Sequence, residues 1–134
     1  MSKIRVEING KMRNLKSLNF SFLREQLING IKFRTFRTNY ITRYRVGEVI
    51  AVKYQKNELL FVVPVKAYYP KMLKNVSEEE AIEDGFENKQ QFINAILEIN
   101  NIRDHEQWGF FTVWDPSKRV FPNELNGTSL EAWL

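Results

Sequence analysis

The chain has 134 residues, 43% hydrophobic and 27% charged, which suits one soluble domain with a single core. It has no cysteine, which excludes disulfides, thiol catalysis and cysteine-based zinc sites and fits a reducing, cytoplasmic setting. Net charge is +4, but residues 1–74 carry 16 Lys and Arg against 4 Asp and Glu, while residues 75–134 carry 4 against 12. A basic first half favours polyanions such as RNA through phosphate attraction and counterion release. Equally, the two halves can attract each other within one fold.

The opening "MSKIRVEING" has no apolar h-region, so no signal peptide is expected, and no apolar run approaches the roughly 20 residues of a membrane span. "KIRVEI" (3–8) alternates like a half-buried strand, and "NG" follows as a turn. "SFLREQLINGI" (21–31) predicts a helix. Ser21 is its cap, Phe22, Leu23, Leu27 and Ile28 its apolar stripe, and Gly30 its stop. "KFRTFRT" reads as extended and rich in β-formers. "GEVIAVKY" (47–54) and "ELLFVVPVKAYY" (58–69) read as strands, with Pro64 marking an edge or a bulge.

"SEEEAIEDGF" (77–86) opens with a capping box, Ser77 with Glu80. Gly85 is its expected C-cap, and Phe86 is expected to pin the turn to the core. Asp84 stands out, because a helix dipole disfavours a carboxylate at that end. "NKQQFINAILEINNI" (88–102) predicts a second helix with Asn88 and Gln91 as its box. "WGFFTVWD" (108–115) is the last strand, and residues 116–134 read as a loop and tail with a short apolar end, "LEAWL". Without repeats or linkers, one domain is expected. The order of elements is α+β, and short strands of this kind commonly close into a small barrel.

"GIKFRTFR" carries the candidate chemistry. Lys32 becomes a base only where burial or a neighbouring cation lowers its pKa, and Thr35 offers a hydroxyl. In a regular strand the two would point to opposite faces, so they converge only if the chain turns near Phe33. The alternative is a solvated basic strand with Phe33 and Phe36 in the core. Tyrosines interleaved with Lys and Arg have the composition that stacks bases and neutralises phosphates. Trp108 and Trp114 are more in keeping with the core. His105, the single histidine, sits in a polar loop and reads as a surface residue, and no P-loop, GxGxxG motif or metal site is apparent.

Residues 18–115 resemble the ASCH domain, a family with a PUA-like β-barrel fold. Three pieces carry the resemblance: "LINGIKFRTFR", "VGEVIAV", and "SEEEAIEDGFENKQQFINAI" with the closing "FFTVW". It implies a helix after the first strand, a two-helix insert before the last, and a C-terminal extension at 116–134. It implies RNA-related work without a cofactor, in a basic cleft between barrel and insert. The ligand would be RNA, a nucleotide or a modified nucleoside, with Arg34, Arg37, Tyr40, Arg43, Tyr44 and Arg45 as contacts. One branch resembles amidohydrolases that deacetylate N4-acetylcytidine. There Lys32 matches the general base, Thr35 the nucleophile and Asp84 the position of the family's glutamate, one methylene shorter. Another branch resembles ribonucleases, and no residue here singles it out.

Overall fold

A computed structural model describes residues 3–38 and 43–125. They form six strands: β1 (Lys3–Ile8), β2 (Lys11–Phe20), β3 (Arg34–Arg37), β4 (Val49–Tyr54), β5 (Glu58–Met72) and β6 (Trp108–Trp114). The helices are α1 (Arg24–Ile28), α2 (Glu78–Glu83) and α3 (Lys89–Ile99). One mixed sheet runs in the order β1-β2-β4-β5-β6-β3, with β2 and β4 parallel and the other neighbours antiparallel. β1 and β3 end the ladder and are not paired with each other among the described residues, so the ladder is open where a closed barrel was expected.

β2 had no counterpart in the sequence reading, and it separates β1 from α1. Its pattern is hard to see because it serves two neighbours. Leu15 packs in one cluster with Val6, Ile8 and Ala51, whereas Leu18 and Phe20, on the opposite face, pack with Ile50, Phe61 and Trp114. The apolar period therefore breaks in mid-strand. β5 is also shared. Residues 58–64 pair with β4 and residues 65–72 with β6. Pro64, which has no N–H to donate, sits at the changeover, and the register with β6 shifts between Val65 and Ala67.

α1 is shorter than its sequence pattern. Leu23, at its N-cap, is left-handed (φ 67°, ψ 31°) and gives no side-chain cap. For a non-glycine residue that conformation costs about 1 kcal/mol or more. It breaks the helix before Arg24 and leaves Phe22, expected on the buried stripe, 49% exposed. Gly30 ends the segment as predicted, with φ +78°. α2 carries the predicted box: the Ser77 hydroxyl accepts from Glu80 N (3.0 Å) and Glu80 accepts from Ser77 N (2.8 Å). α3 buries Phe92, Ile93 and Ile96, but not Ile99. Trp114 is fully buried, whereas Trp108 is half exposed.

Residues 116–125 are anchored to the core through Val120 and Leu125 rather than forming a loose tail. Val120 bridges Val62, and both Val120 and Leu125 are buried beside β1 and β4. The Arg119 guanidinium donates to the Leu27 and Ile28 carbonyls at 2.9 and 2.5 Å, satisfying the C-terminal end of α1. The "LEAWL" end lies outside the described residues. No helix among the described residues is long and apolar enough to cross a membrane.

Candidate functional site

Lys32 precedes β3, in the turn that leaves α1, where its backbone N–H bonds Gln26 O at 3.0 Å. Strand alternation therefore does not apply to it. Phe33 locks the turn, since its N–H bonds Glu83 O and its carbonyl accepts from Trp114 N. Lys32, Thr35, Arg37 and Asp84 all line one cavity of about 280 Å³ between β2, β3, α2 and α3.

Lys32 is 3% exposed and Asp84 2%. The Lys32 ammonium donates to the Asp84 carboxylate Oδ1, to Asp84 O at 2.5 Å and to Arg34 O at 3.0 Å. Asp84 holds its place as the C-cap of α2, bonding back through its N–H to Glu80 O and Ala81 O. A dipole-disfavoured position is thus compensated by a buried cation. Gly85, with φ +99°, makes the approach possible. A Cβ there would lie 3.2 Å from Leu23 Cδ1 and 3.4 Å from Lys32 Cδ. Burial pushes the Lys32 amine down from its ordinary range, against the pull of Asp84, and the nearby Arg37 cation acts in the same direction as burial. Burial pushes the Asp84 carboxyl up, against Lys32, Arg37 and Arg34. Both shifts bring the neutral pair, with the proton on Asp84, closer in energy to the ion pair. Asp84 Oδ2 is buried without a hydrogen-bond partner among the described residues.

Thr35 is 5% exposed, and its Oγ1 accepts from Arg37 Nε at 3.1 Å. Arg37 Nη2 donates to Asn19 O at 2.8 Å, and the guanidinium lies 4.8 Å from the Phe20 ring centroid. Burial also lowers the Arg37 pKa. Arg37 thus aims at Thr35 while keeping the hydroxyl hydrogen free for another acceptor.

The other predicted contacts among the described residues do not line this cavity. Arg34 points to the other face of β3, where it donates to Glu83 at 2.7 Å and to the Tyr69 hydroxyl at 2.5 Å, while Tyr69 donates to Glu80 at 2.6 Å. This network fastens α2 to the sheet. Tyr44 is buried in the core, donates to Ser17 O at 2.8 Å, and has its pKa pushed up to about 12, mainly by burial. It is therefore no exposed stacking platform. Arg43 and Arg45 are exposed and away from the cavity lining, and Tyr40 lies outside the described residues. Ion pairs Lys32–Asp84, Arg34–Glu83, Lys71–Glu80 and Lys74–Glu106 all join the basic half to the acidic half, so part of the charge split is used within the fold. His105 is exposed. Among the described residues no group of three or more acids or histidines could hold a metal ion.

Sequence reading missed Asn19, Phe22, Thr38 and Asn100 in the cavity lining. Asn19 belongs to the unrecognised β2. Thr38 and Asn100 meet only through the tertiary contact between their side chains, at 3.0 Å.

Solved structures share this architecture. An ASCH domain from Lactobacillus crispatus JV V101 matches with a TM-score of 0.56 and 13% identity, over 78% of this chain and 80% of that one. A protein from Enterococcus faecalis V583 assigned to DUF984 matches with a TM-score of 0.58 and 12% identity, over 78% and 72%. A Tyr-to-Phe variant of an ASCH protein from Zymomonas mobilis matches with a TM-score of 0.55 and 11% identity, over 87% and 78%. No protein-family model and no curated protein matches the chain. At these identities the likeness is one of fold: the chain has the α+β, PUA-like fold of ASCH domains.

Proposed function

We propose that the cavity takes one nucleoside-sized ligand and that Lys32, Thr35 and Asp84 hydrolyse an acyl amide on it, as the resemblance to the N4-acetylcytidine branch implies. The observation that carries the reading is the convergence of Thr35 and a buried Lys32–Asp84 pair on one cavity of about 280 Å³. That volume lies just below the usual range of ligand sites, about 300–1,000 Å³, and suits a single small molecule better than a polynucleotide strand.

All three Lys32 protons are engaged, so Lys32 first passes one to Asp84 Oδ1. The neutral amine then takes the Thr35 proton as Oγ1 attacks the acyl carbon. The C–N bond breaks, and the leaving amine takes the proton back from Lys32. Water then cleaves the Thr35 ester, releasing the carboxylic acid and restoring the hydroxyl, and Asp84 returns its proton to Lys32. Arg37 Nε, donating to Oγ1, stabilises negative charge as it develops there.

The test is chromatographic conversion of N4-acetylcytidine to cytidine by wild type and Lys32→Ala. Turnover that disappears in the variant supports the reading. Inactivity of folded wild type counts against the hydrolase.

A second reading, RNA binding, is favoured by one observation. Lys3, Arg5, Arg43 and Arg45 are exposed, and Lys3 is placed directly opposite Lys16 across β1 and β2. It predicts affinity for single-stranded RNA that falls steeply with salt.

A further inference from the structure

Phe22 and Ile99 are the large apolar side chains of the cavity lining that remain about half exposed, at 49% and 55%. A side chain that both lines a cavity and meets solvent stands at its open side. Phe22 comes from the link between β2 and α1, and Ile99 from the last turn of α3. Two elements far apart in sequence thus leave apolar surface uncovered on the lining of one cavity, where burial would have been favourable.

The backbone around Phe22 is held in an unfavourable conformation. Leu23 is left-handed without being glycine, and it packs against Gly85, beside the Lys32 stem. The left-handed turn leaves Phe22 half exposed on the cavity lining that it shares with Lys32, Thr35 and Asp84. Strain retained at a cavity is a pointer to function.

We propose that Phe22 is the stacking platform for the ligand's planar heteroaromatic base, with Ile99 as a further apolar contact, and so selects amides borne on such a base over aliphatic amides. The proposal rests on the nucleoside reading above and goes beyond it. Lys32, Thr35 and Asp84 are indifferent to what carries the acyl group, and Phe22 is not. Aromatic faces stack any base, so this contact selects the class and leaves the choice among bases to the polar lining.

The experiment compares wild type, Phe22→Ala, Phe22→Trp and Lys32→Ala. Direct binding of N4-acetylcytidine is followed by NMR titration, and kcat and KM are measured alongside. Each protein is also assayed on an N-acetyl alkylamine. Phe22 is exposed, so Phe22→Ala is expected to keep the wild-type melting temperature. Its Kd and KM should rise about 5- to 150-fold, the range for loss of one base–aromatic stack, with kcat within about two-fold. Phe22→Trp should restore binding, and any turnover of the alkylamine should be the same in wild type and Phe22→Ala. Unchanged binding in Phe22→Ala, with activity still abolished by Lys32→Ala, overturns this proposal and leaves the hydrolase intact. Binding that weakens in Phe22→Ala without turnover in wild type supports the platform and overturns the hydrolase. Wild type that fails to bind the nucleoside overturns both.

Discussion

Replacing Lys32 with methionine removes the ammonium and keeps most of the stem. Asp84 then stays 2% exposed but loses the cation in contact with it. Removing one partner of a buried pair costs about 3–5 kcal/mol, because the remaining charge is left uncompensated. Against a total stability of about 5–15 kcal/mol for a domain of this kind, that is a large loss. It also has a pH signature. Burial already raises the Asp84 carboxyl, and Lys32 is the largest influence holding it down. Without Lys32 its folded-state pKa rises further above the ordinary value of about 3.9. An acid with a raised folded-state pKa keeps its proton longer in the folded chain than in the unfolded one. The penalty is therefore absent below about pH 4 and grows as pH rises, becoming complete above the folded-state pKa. Lys32→Met should lose least at pH 4, where only its bonds to the Asp84 and Arg34 carbonyls are gone, and about 3–5 kcal/mol more by pH 8. The double variant Lys32→Met/Asp84→Val removes both charges and should recover much of the loss, giving a coupling of about 2 kcal/mol or more. Urea denaturation of wild type, both single variants and the double variant at pH 4, 6 and 8 reads all of this. A loss in Lys32→Met below about 1 kcal/mol and independent of pH, or strictly additive effects, would refute the buried pair.

Thr35→Val keeps the shape and removes the proposed nucleophile. Turnover of N4-acetylcytidine should fall by about 10³-fold or more while stability changes by less than about 1.5 kcal/mol, as paired kinetic and denaturation measurements would show. Arg119→Ala strips the carbonyl partner from the end of α1 and should cost about 2 kcal/mol in chemical denaturation, with no selective effect on the cavity. Gly109→Ala forces a Cβ into the Phe36 ring and to 2.9 Å from Arg37 O, and should lower stability by about 1–3 kcal/mol. Tyr44 should remain protonated until about pH 12 in an ultraviolet titration compared with Tyr44→Phe. Because its pKa is raised, the stability it contributes is lost as pH climbs through that value.

Local chemistry made much of this molecule readable. Ser77 and Glu80 cap α2 through bonds spanning three residues, and Gly85 ends it with a positive φ, so both features are written in a short window. The β4 run Val49–Val52 reads as a strand buried on both faces, which it is. Lys32, Thr35 and Asp84 could be named as candidates from residue type together with the resemblance to ASCH domains. Their meeting could not, because it depends on Lys32 lying in a turn outside β3 and on Asp84 arriving from 52 positions away. Arg34 and Tyr44 looked like ligand contacts because charge and aromaticity carry no direction in a sequence. Tertiary packing decided that one binds Glu83 and Tyr69 and the other fills the core. β2 and the short α1 went unread for the same reason. A strand that buries opposite faces in its two halves has no single period, and the left-handed Leu23 makes α1 start at Arg24, later than its apolar pattern. The sequence by itself determined where helices are capped and which segments are apolar, since those are interactions between near neighbours. Only the tertiary structure decided which side chains share the cavity, because that is set by long-range contacts no local pattern encodes.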